Sequence, residues 1–564
     1  MLSMMKEKIQ NFIKKVLEVN QVDIEVPTAT SHGHYSTNVA MILAKGSPVK
    51  LASEYVEALL KGDKEKMFSR IEVAGPGFIN FTLSSEYLYG ELALFSKKRK
   101  VTAPDIGKGK LAIIEYSSPN IAKPMHVGHM RSTIIGDSIN RIHKYLGYKT
   151  IRWNYVGDTG TQFGKLIAAY KLWGDKEKIE ADPVNELVEL YIRFHKEMEI
   201  NPELEDEGRR EFAKLEKKDK TNLALWSWFS KVSLKEFKDI YKLLGVEFDI
   251  YKGESRFSGS QLQKFIKKLK AQKIAVSSQG ALIINLDEFS LPPVLIRKAD
   301  GSTIYFSRDL FLLKHRLKNY NPKKILIETG GEQALHFQQL QAVAKILGLD
   351  SAELTHIKHG LVLDKSGKKL STREGGAVRL IDLVTKVLDE ANKVVLEKNP
   401  EMDEEQRREI AKVVGIGALK YADLKENRNS DMVFDLDQML SFSGNSGPYL
   451  QYSYARYMSI IEKVGELSGA KIETLVLEKE ISIIKKIMDF TDVVLLCEKT
   501  YLTSYLASYL HELAKETNSY YENTRILDDE DDRRMKARAL LLLQVSRVLE
   551  KGLDLMGVEV LKRI

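Results

Sequence analysis

At 564 residues, 43% of them hydrophobic, the chain is long enough for roughly three or four domains and a large core. Lysine and arginine (86) exceed aspartate and glutamate (78) by eight, an excess that permits an RNA partner without demanding one. One cysteine, Cys497, excludes an internal disulfide and any cysteine-rich zinc site, and it fits a reducing, cytoplasmic compartment.

The first residues, MLSMMKEKIQNFIKKVLEV, are amphipathic and lysine-rich. They include Glu7 and Glu18, lack arginine and offer no small-residue cleavage site, so they read as the first helix of a domain rather than as a targeting peptide. No apolar run approaches the roughly 20 residues that span a bilayer, and a soluble protein is expected. Residues 1–95 read as a small α+β domain with another helix at 49–60. In it, IEVAGPGFINFTL (Ile71 to Leu83) predicts two strands joined by a Gly-Pro-Gly turn, with Phe78, Asn80 and Thr82 on alternate positions. By residue type alone, Phe78 is a core residue and Asn80 a turn former. Residues 96–110, SKKRKVTAPDIGKGK, are basic, poor in apolar residues and broken by proline and glycine, as a linker would be.

An apolar run from Leu111 to Ile114 predicts a buried strand, which Pro119 ends. Ile135, Ile139, Ile142 and Leu146 follow at helical spacing and predict an amphipathic helix with one buried face. The string EYSSPNIAKPMHVGH (Glu115 to His129) therefore joins a strand's carboxyl end to a helix N-terminus. Open parallel sheets bind ligands there, and the helix end offers unpaired N–H groups and partial positive charge, both suited to phosphate. His126 and His129 share one side of the first turn, and Gly128 leaves space for a flat ligand on the backbone. The pattern suggests a nucleotide held by its phosphates; a metal-binding pair or two surface histidines are the plainer readings. The longer string SSPNIAKPMHVGHMRSTIIGD resembles the signature of class I aminoacyl-tRNA synthetases in the form found in arginyl-tRNA synthetases.

Thr150 to Val156 predicts a second strand, and GDTGTQFGKL opens another helix, the beginning of a doubly wound fold. Residues 175–250 are charged and helical, with Trp226, Trp228 and Phe229 as the core of an insertion. From 281 to 336 a strand-rich pattern resumes. Tyr305 and Asp309 stand four apart where a strand gives way to a helix that Ser307 could cap, and Gln333 follows a strand and a glycine pair. Asp364 to Gly376, DKSGKKLSTREGG, is a basic loop. From about residue 400 the pattern is helical; Tyr449, Tyr452 and Arg456, then Tyr501, Tyr505 and Tyr509, recur at helical spacing as core stripes.

The resemblance extends over nearly the whole chain. It implies an α/β, doubly wound, Rossmann-type parallel-sheet catalytic domain (111–385) with an insertion (about 165–280). An α+β N-terminal domain (1–95) would touch the tRNA elbow, and a linker (96–110) would follow it. A helical connecting region (386–440) and an all-α anticodon-binding bundle (441–564) would complete the chain. The implied activity is ATP-dependent formation of arginyl-adenylate and arginyl transfer to the 3′ end of tRNA(Arg). Carried over by motif, His126, His129, Lys123 and Lys369 are catalytic, and His126, Gly128, His129, Lys369 and Ser371 bind ATP with Mg²⁺. Glu115, Ser118, Asn120, Tyr305, Asp309 and Gln333 bind L-arginine, whose five-donor guanidinium calls for carboxylates and acceptors. Phe78 and Asn80 meet a D-loop base of the tRNA. The loop departs from the family's KMSKS pattern because Thr372 stands where a second lysine belongs; Lys123 takes its place. No protein metal site is visible, and a monomer is expected. The rival readings are another HxGH-type nucleotidylyltransferase adenylating a small acid, and a non-catalytic tRNA-binding paralogue.

Overall fold

Met5, Ile9 and Ile13, one turn apart and buried, seat the first helix, α1 (Met5–Leu17). The computed structural model describes residues 4–27, 29–98, 100–370 and 378–563. Contacts divide the chain into two units: Met1–Pro104 with Ser441–Ile564, and Asp105–Leu440. In the first unit β1 (Tyr35–Thr37), α2 (Val39–Leu43) and α3 (Pro48–Gly62) follow α1. Ser47 caps α3 by accepting from Lys50 N–H, with Pro48 in the first turn. The expected hairpin is formed by β2 (Phe68–Ala74) and β3 (Phe78–Leu83), its turn made by Gly75 and Gly77 at positive φ. β3 is the centre of the sheet, between β1 and β2, and α4 (Ser85–Ser96) closes the segment. Asn80 lies in mid-strand, opposite Ser36 and Glu72, and is not a turn residue.

The second unit is built on a five-stranded parallel sheet. Its members are β4 (Leu111–Glu115), β5 (Lys149–Asn154), β6 (Ile250–Tyr251), β10 (Lys324–Gly330) and β11 (Glu353–His359), in the order β11-β10-β4-β5-β6. The chain moves outward from β4 through β5 to β6, then returns to the other side through β10 and β11. The direction reverses between β4 and β10, whose register pairs Glu115 with Ile327. That junction is the topological switch point where a crevice opens at the strands' carboxyl ends. One face is covered by α12 (Tyr305–Tyr320) and α13 (Ala334–Ile346), packing Leu310, Leu313 and Val343 on Ile113, Ile325 and Ile327. α5 (Val127–Tyr145) also packs on β4, β5 and β10. The expected apolar stripe of α5 is buried, but so are Arg131, Thr133, Asp137, Ser138 and His143. The helix is enclosed along most of its length, with Lys144 left exposed, because further elements of this unit pack on it.

After α6 (Thr161–Trp173) come α7 (Lys176–Ala181), α8 (Pro183–Ile200), α9 (Glu203–Glu216) and α10 (Lys220–Leu243). Leu187, Phe194 and Phe229 form their core with Trp228 packed on it, while Trp226 instead donates its indole N–H to Asp158 O at 2.8 Å. β6 joins the main sheet from inside the stretch 165–280 expected as one insertion. α11 (Ser260–Ala271) precedes a separate antiparallel sheet of β7 (Val276–Ser278), β8 (Ala281–Ile284) and β9 (Val294–Arg297). Strand propensity over 281–297 was therefore legible, but membership of the main sheet was not. The two-residue strands β12 (Val362–Leu363) and β13 (Met432–Val433) pair in parallel. Between them α14 (Leu380–Lys398) starts the helical region before residue 400, α15 (Glu404–Leu424) follows, and α16 (Leu436–Met439) ends the unit.

α17 (Gly447–Val464), α18 (Glu478–Thr500), α19 (Ser504–Asn523) and α20 (Asp532–Leu555) return to the first unit. Tyr35 donates to Asp489 at 2.7 Å and Tyr89 to Leu475 O at 2.6 Å, so the N-terminal sheet and this bundle pack as one body. Tyr501 is buried and Tyr509 donates to Lys486 O, as core stripes require. Tyr452 and Tyr505 are 42% and 43% exposed, which corrects the core reading for them. The buried rows are Leu450, Tyr454 and Tyr457 in α17 and Leu506, Leu510 and Leu513 in α19, displaced around each helix from Tyr452 and Tyr505. Among the described residues no helix is long and apolar enough to cross a membrane.

Candidate active site

From the end of β4 the chain turns sharply. Ser117, Ser118 and Ala122 all adopt left-handed φ (71°, 44° and 58°), strain that surrounding contacts must hold. Ser117 N–H donates to Ser132 Oγ at 2.9 Å, and Ser117 Oγ meets Tyr241 Oη at 2.7 Å, fixing the turn to α5 and α10. Ile121 N–H donates to Gly157 O, and Gly157 N–H to Pro119 O, so the loops after β4 and β5 lie side by side. A side chain at Gly157 would meet Asn120 Oδ1 at 2.0 Å.

His126 then caps α5. Its Nδ1 accepts from Gly128 N–H at 3.1 Å, while His129 Nδ1 accepts from His126 N–H at 3.0 Å. His129 N–H donates to His126 O, and Val127 N–H to Val378 O. The first four N–H groups of the helix are thus all taken, which corrects the expectation that they stand open for phosphate. The reason is reach: an imidazole at the cap position can satisfy backbone donors as a serine would. Gly128 serves the same turn, since a Cβ there would stand 3.0 Å from the His126 ring.

Because each Nδ1 accepts, each neutral ring carries its proton on Nε2. Burial pushes His129 down to about 3, with the charges of His126 and His359 adding to it. His126 is lowered by burial, then by the charges of Lys369 and Lys123. The rings, 3.9 Å apart between centroids, form a pair of uncharged N–H donors at the positive end of a helix. The metal reading of the pair loses its basis, because metal ligation by Nε2 would move the proton to Nδ1 and break both caps. Lys123 and Lys369 are exposed, and both charges are felt at His126. Ser371 and Thr372 lie outside the described residues.

The side of the site formed by the end of β4 and by α12 holds charges already in use. Glu115 is 5% exposed, and burial raises its carboxyl even though Arg316 opposes this. Arg316, itself buried, donates to Glu115 and lies 4.5 Å from the Trp153 ring centroid. Asp309 accepts from His336 Nε2 at 2.8 Å. Its charge also raises Glu115, so the structure brings these two carboxylates together. Tyr305 is the first residue of α12 and 57% exposed. Ser307 does not cap that helix; it is buried and donates to Ile296 O, while Ile304 takes the cap position. Gln333 ends a short turn (Gly331–Gln333) directly after β10, as its position after a strand implied, and is exposed. Ser118 Oγ is buried with no partner among the described residues, and Asn120 is exposed.

Sequence reasoning missed Arg316, His336 and Tyr155. The Tyr155 hydroxyl, just past β5, is buried without a partner among the described residues, with Asp309, Glu254 and Glu115 each raising its pKa after burial itself. Its place at a strand's carboxyl end was the available signal; for Arg316 and His336 there was none. In the first unit, Phe78 is half-buried and Asn80 is 4% exposed. Among the described residues no group of three or more His, Cys, Asp or Glu could hold a metal ion.

Residues 92–436 match the family described as tRNA synthetases class I (R), catalytic domain. Residues 450–564 match the DALR anticodon binding domain, and residues 3–83 the arginyl tRNA synthetase N-terminal domain. The chain is 38% identical over 568 aligned positions to the arginine–tRNA ligase of Halothermothrix orenii, covering 98% of both chains. It is 41% identical over 542 positions to that of Pediococcus pentosaceus, covering 95% of this chain and 94% of the other. Among solved structures, the arginyl-tRNA synthetase from Plasmodium falciparum superposes with a TM-score of 0.85 at 26% identity, covering 100% of both chains.

Proposed function

The chain belongs to the arginine–tRNA ligases, a class I tRNA synthetase family, and from that premise we propose how its own residues divide the work. The enzyme joins L-arginine to tRNA(Arg) at the expense of ATP. Arginine's carboxylate attacks the α-phosphate, pyrophosphate leaves, and the terminal ribose hydroxyl of the tRNA then takes the arginyl group and releases AMP. No side chain becomes covalently attached, so catalysis rests on alignment and on donors around the pentavalent phosphorus.

The reciprocal capping of His126 and His129 carries this reading. It leaves two neutral Nε2–H donors facing the phosphates, where they add hydrogen bonds without adding a charge that would have to be relieved when pyrophosphate departs. Lys123 and Lys369 supply the cations, Gly128 makes the turn, and Ser371 belongs to the same ATP site. Mg²⁺ enters with the nucleotide, because cations and N–H donors here suit phosphate and not a resident metal. Tyr305, Asp309 and Gln333 hold the arginine with Ser118 and Asn120, whose exposed or unpartnered polar atoms are available to it. Glu115 joins them while shared with Arg316. Phe78 and Asn80 serve the tRNA elbow, with Phe78 the more accessible of the two. The segments 1–95 and 441–564 bind the tRNA, and the enzyme works as a cytoplasmic monomer.

ATP–pyrophosphate exchange measured with each amino acid, with and without tRNA, tests the reading. Exchange is expected with arginine alone among the amino acids, and only once cognate tRNA is present. Exchange with another amino acid, or none under any condition, would overturn it.

A further inference from the structure

Arg131, on the second turn of α5, has no exposed surface, and burying a guanidinium is costly unless its donors are used. Its Nε donates to Asp423 Oδ1 at 2.8 Å, and its Nη1 donates to two carbonyls, Leu361 O at 3.2 Å and Ser430 O at 3.0 Å. Asp423 is on α15 and equally buried. Leu361 directly precedes β12, and Ser430 lies just ahead of β13. There Met432 N–H donates to Leu361 O at 2.9 Å, and Leu361 N–H to Asp431 Oδ1 at 2.7 Å. The side chain therefore clips the root of the hairpin that carries Lys369. The hairpin closes through Asp364 N–H to Lys368 O at 2.7 Å and Leu370 N–H to Val362 O at 2.9 Å.

On the other flank, Val127 N–H donates to Val378 O at 3.2 Å and Leu380 N–H to Met125 O at 2.8 Å. Residues 378–380 are thus held to the His126 turn by backbone bonds. Residues 361–370 are tied to the same helix through the Arg131 side chain. A second buried pair, His359 Nδ1 with Glu328 Oε1 at 2.6 Å, stands beside it, and its charges are felt at Asp423.

We propose that Arg131 is a positioning residue, which ties the Lys369 hairpin to the helix bearing His126 and His129 and so fixes the spacing of the cation and the N–H donors. This rests on the assignment of Lys369 to the ATP phosphates. Only a planar fork can serve Asp423 and both carbonyls at once; a lysine can keep the charge beside Asp423 but cannot span the hairpin root.

The test is a double-mutant cycle read by tRNA-dependent pyrophosphate exchange, with folding followed by circular dichroism and thermal midpoint. Lys369→Ala should lower kcat by about 10²-fold. Arg131→Lys should lower it by about 10-fold with the KM for arginine unchanged, because its effect is one of placement. The double variant should fall no further than Lys369→Ala alone, within about 2-fold. Independent effects that multiply, or a fully active Arg131→Lys, would overturn the proposal. Wild-type activity in Lys369→Ala would instead remove Lys369 from the site and the coupling with it. Should Arg131→Lys fail to fold, Asp423→Asn, which keeps an acceptor for Arg131 Nε, takes its place in the cycle with the same expected non-additivity.

Discussion

The two ends of the crevice prepare themselves in opposite ways. At the end proposed for the nucleotide the helix N-terminus gives two of its free N–H groups to imidazole nitrogens and two to backbone carbonyls, and is left with uncharged ring donors. At the end proposed for the amino acid two carboxylates lean on groups of the chain's own: buried Glu115 on Arg316, and partly buried Asp309 on His336. On the proposed assignment the difference follows the ligands. A polyphosphate arrives strongly anionic and changes its bonding during reaction, so flexible outer cations with fixed neutral donors suit it. A guanidinium arrives as one cation that must be told from near-isosteres, and carboxylates do that because a ligand without the charge makes weaker hydrogen bonds to them.

Removing a placeholder should break the amino-acid end most severely. Arg316→Met strands the Glu115 carboxylate in the core and should cost about 3–5 kcal/mol of stability. Glu115→Gln/Arg316→Met should recover most of it, as read by denaturant unfolding of the second unit's tryptophans. If the single variant is as stable as wild type, the pair is not a charge partnership. At the nucleotide end, His129→Ala should lower kcat by about 10²–10³-fold while arginine affinity holds, since the donor acts on charge developing in the transition state. Undiminished kcat would remove His129 from the chemistry.

A narrower blow separates the ends. Asp309→Asn keeps shape but turns an acceptor into a donor, and kcat/KM for arginine should fall by about 10² while the preference over citrulline narrows and the KM for ATP stays put. Unchanged selectivity would reduce Asp309 to a helix charge held by His336. The smallest effect concerns stability and pH. His129 is held at about 3 in the folded protein, below its unfolded value of about 6.5, so the unfolded chain binds the extra proton and stability falls as pH drops through that window. Between pH 7 and 5 this one group should cost about 2 kcal/mol, a loss that His129→Asn, still able to cap, should be spared. Equal acid sensitivity in both proteins would show that the ring is not buried neutral.

Much of this was legible in the residues themselves. The strand from Leu111, the break at Pro119 and the isoleucine row from Ile135 give the strand-loop-helix unit, because strand and helix periods are local properties of the chain. The Gly-Pro-Gly hairpin follows from turn chemistry, and Gln333 was placed at a strand end by the glycines before it. The motif around His126 identified the family, as the full-length relatives bear out.

Other features were decided only in three dimensions. Ser307 sits where a cap would be, yet it turns inward to Ile296 O once β9 packs beside α12. The tyrosines of α17 and α19 keep helical spacing, but which side of each helix is buried depends on its neighbours. β6, two residues long, carries no signal of its own and becomes a strand only because β5 offers it an edge. Glu115 meets Arg316 across 201 residues, and Arg131 meets Asp423 across 292. Local sequence sets periodicity, turns and caps, whereas the pairing of buried charges is set by which elements the fold brings into contact, and no spacing along the chain encodes that.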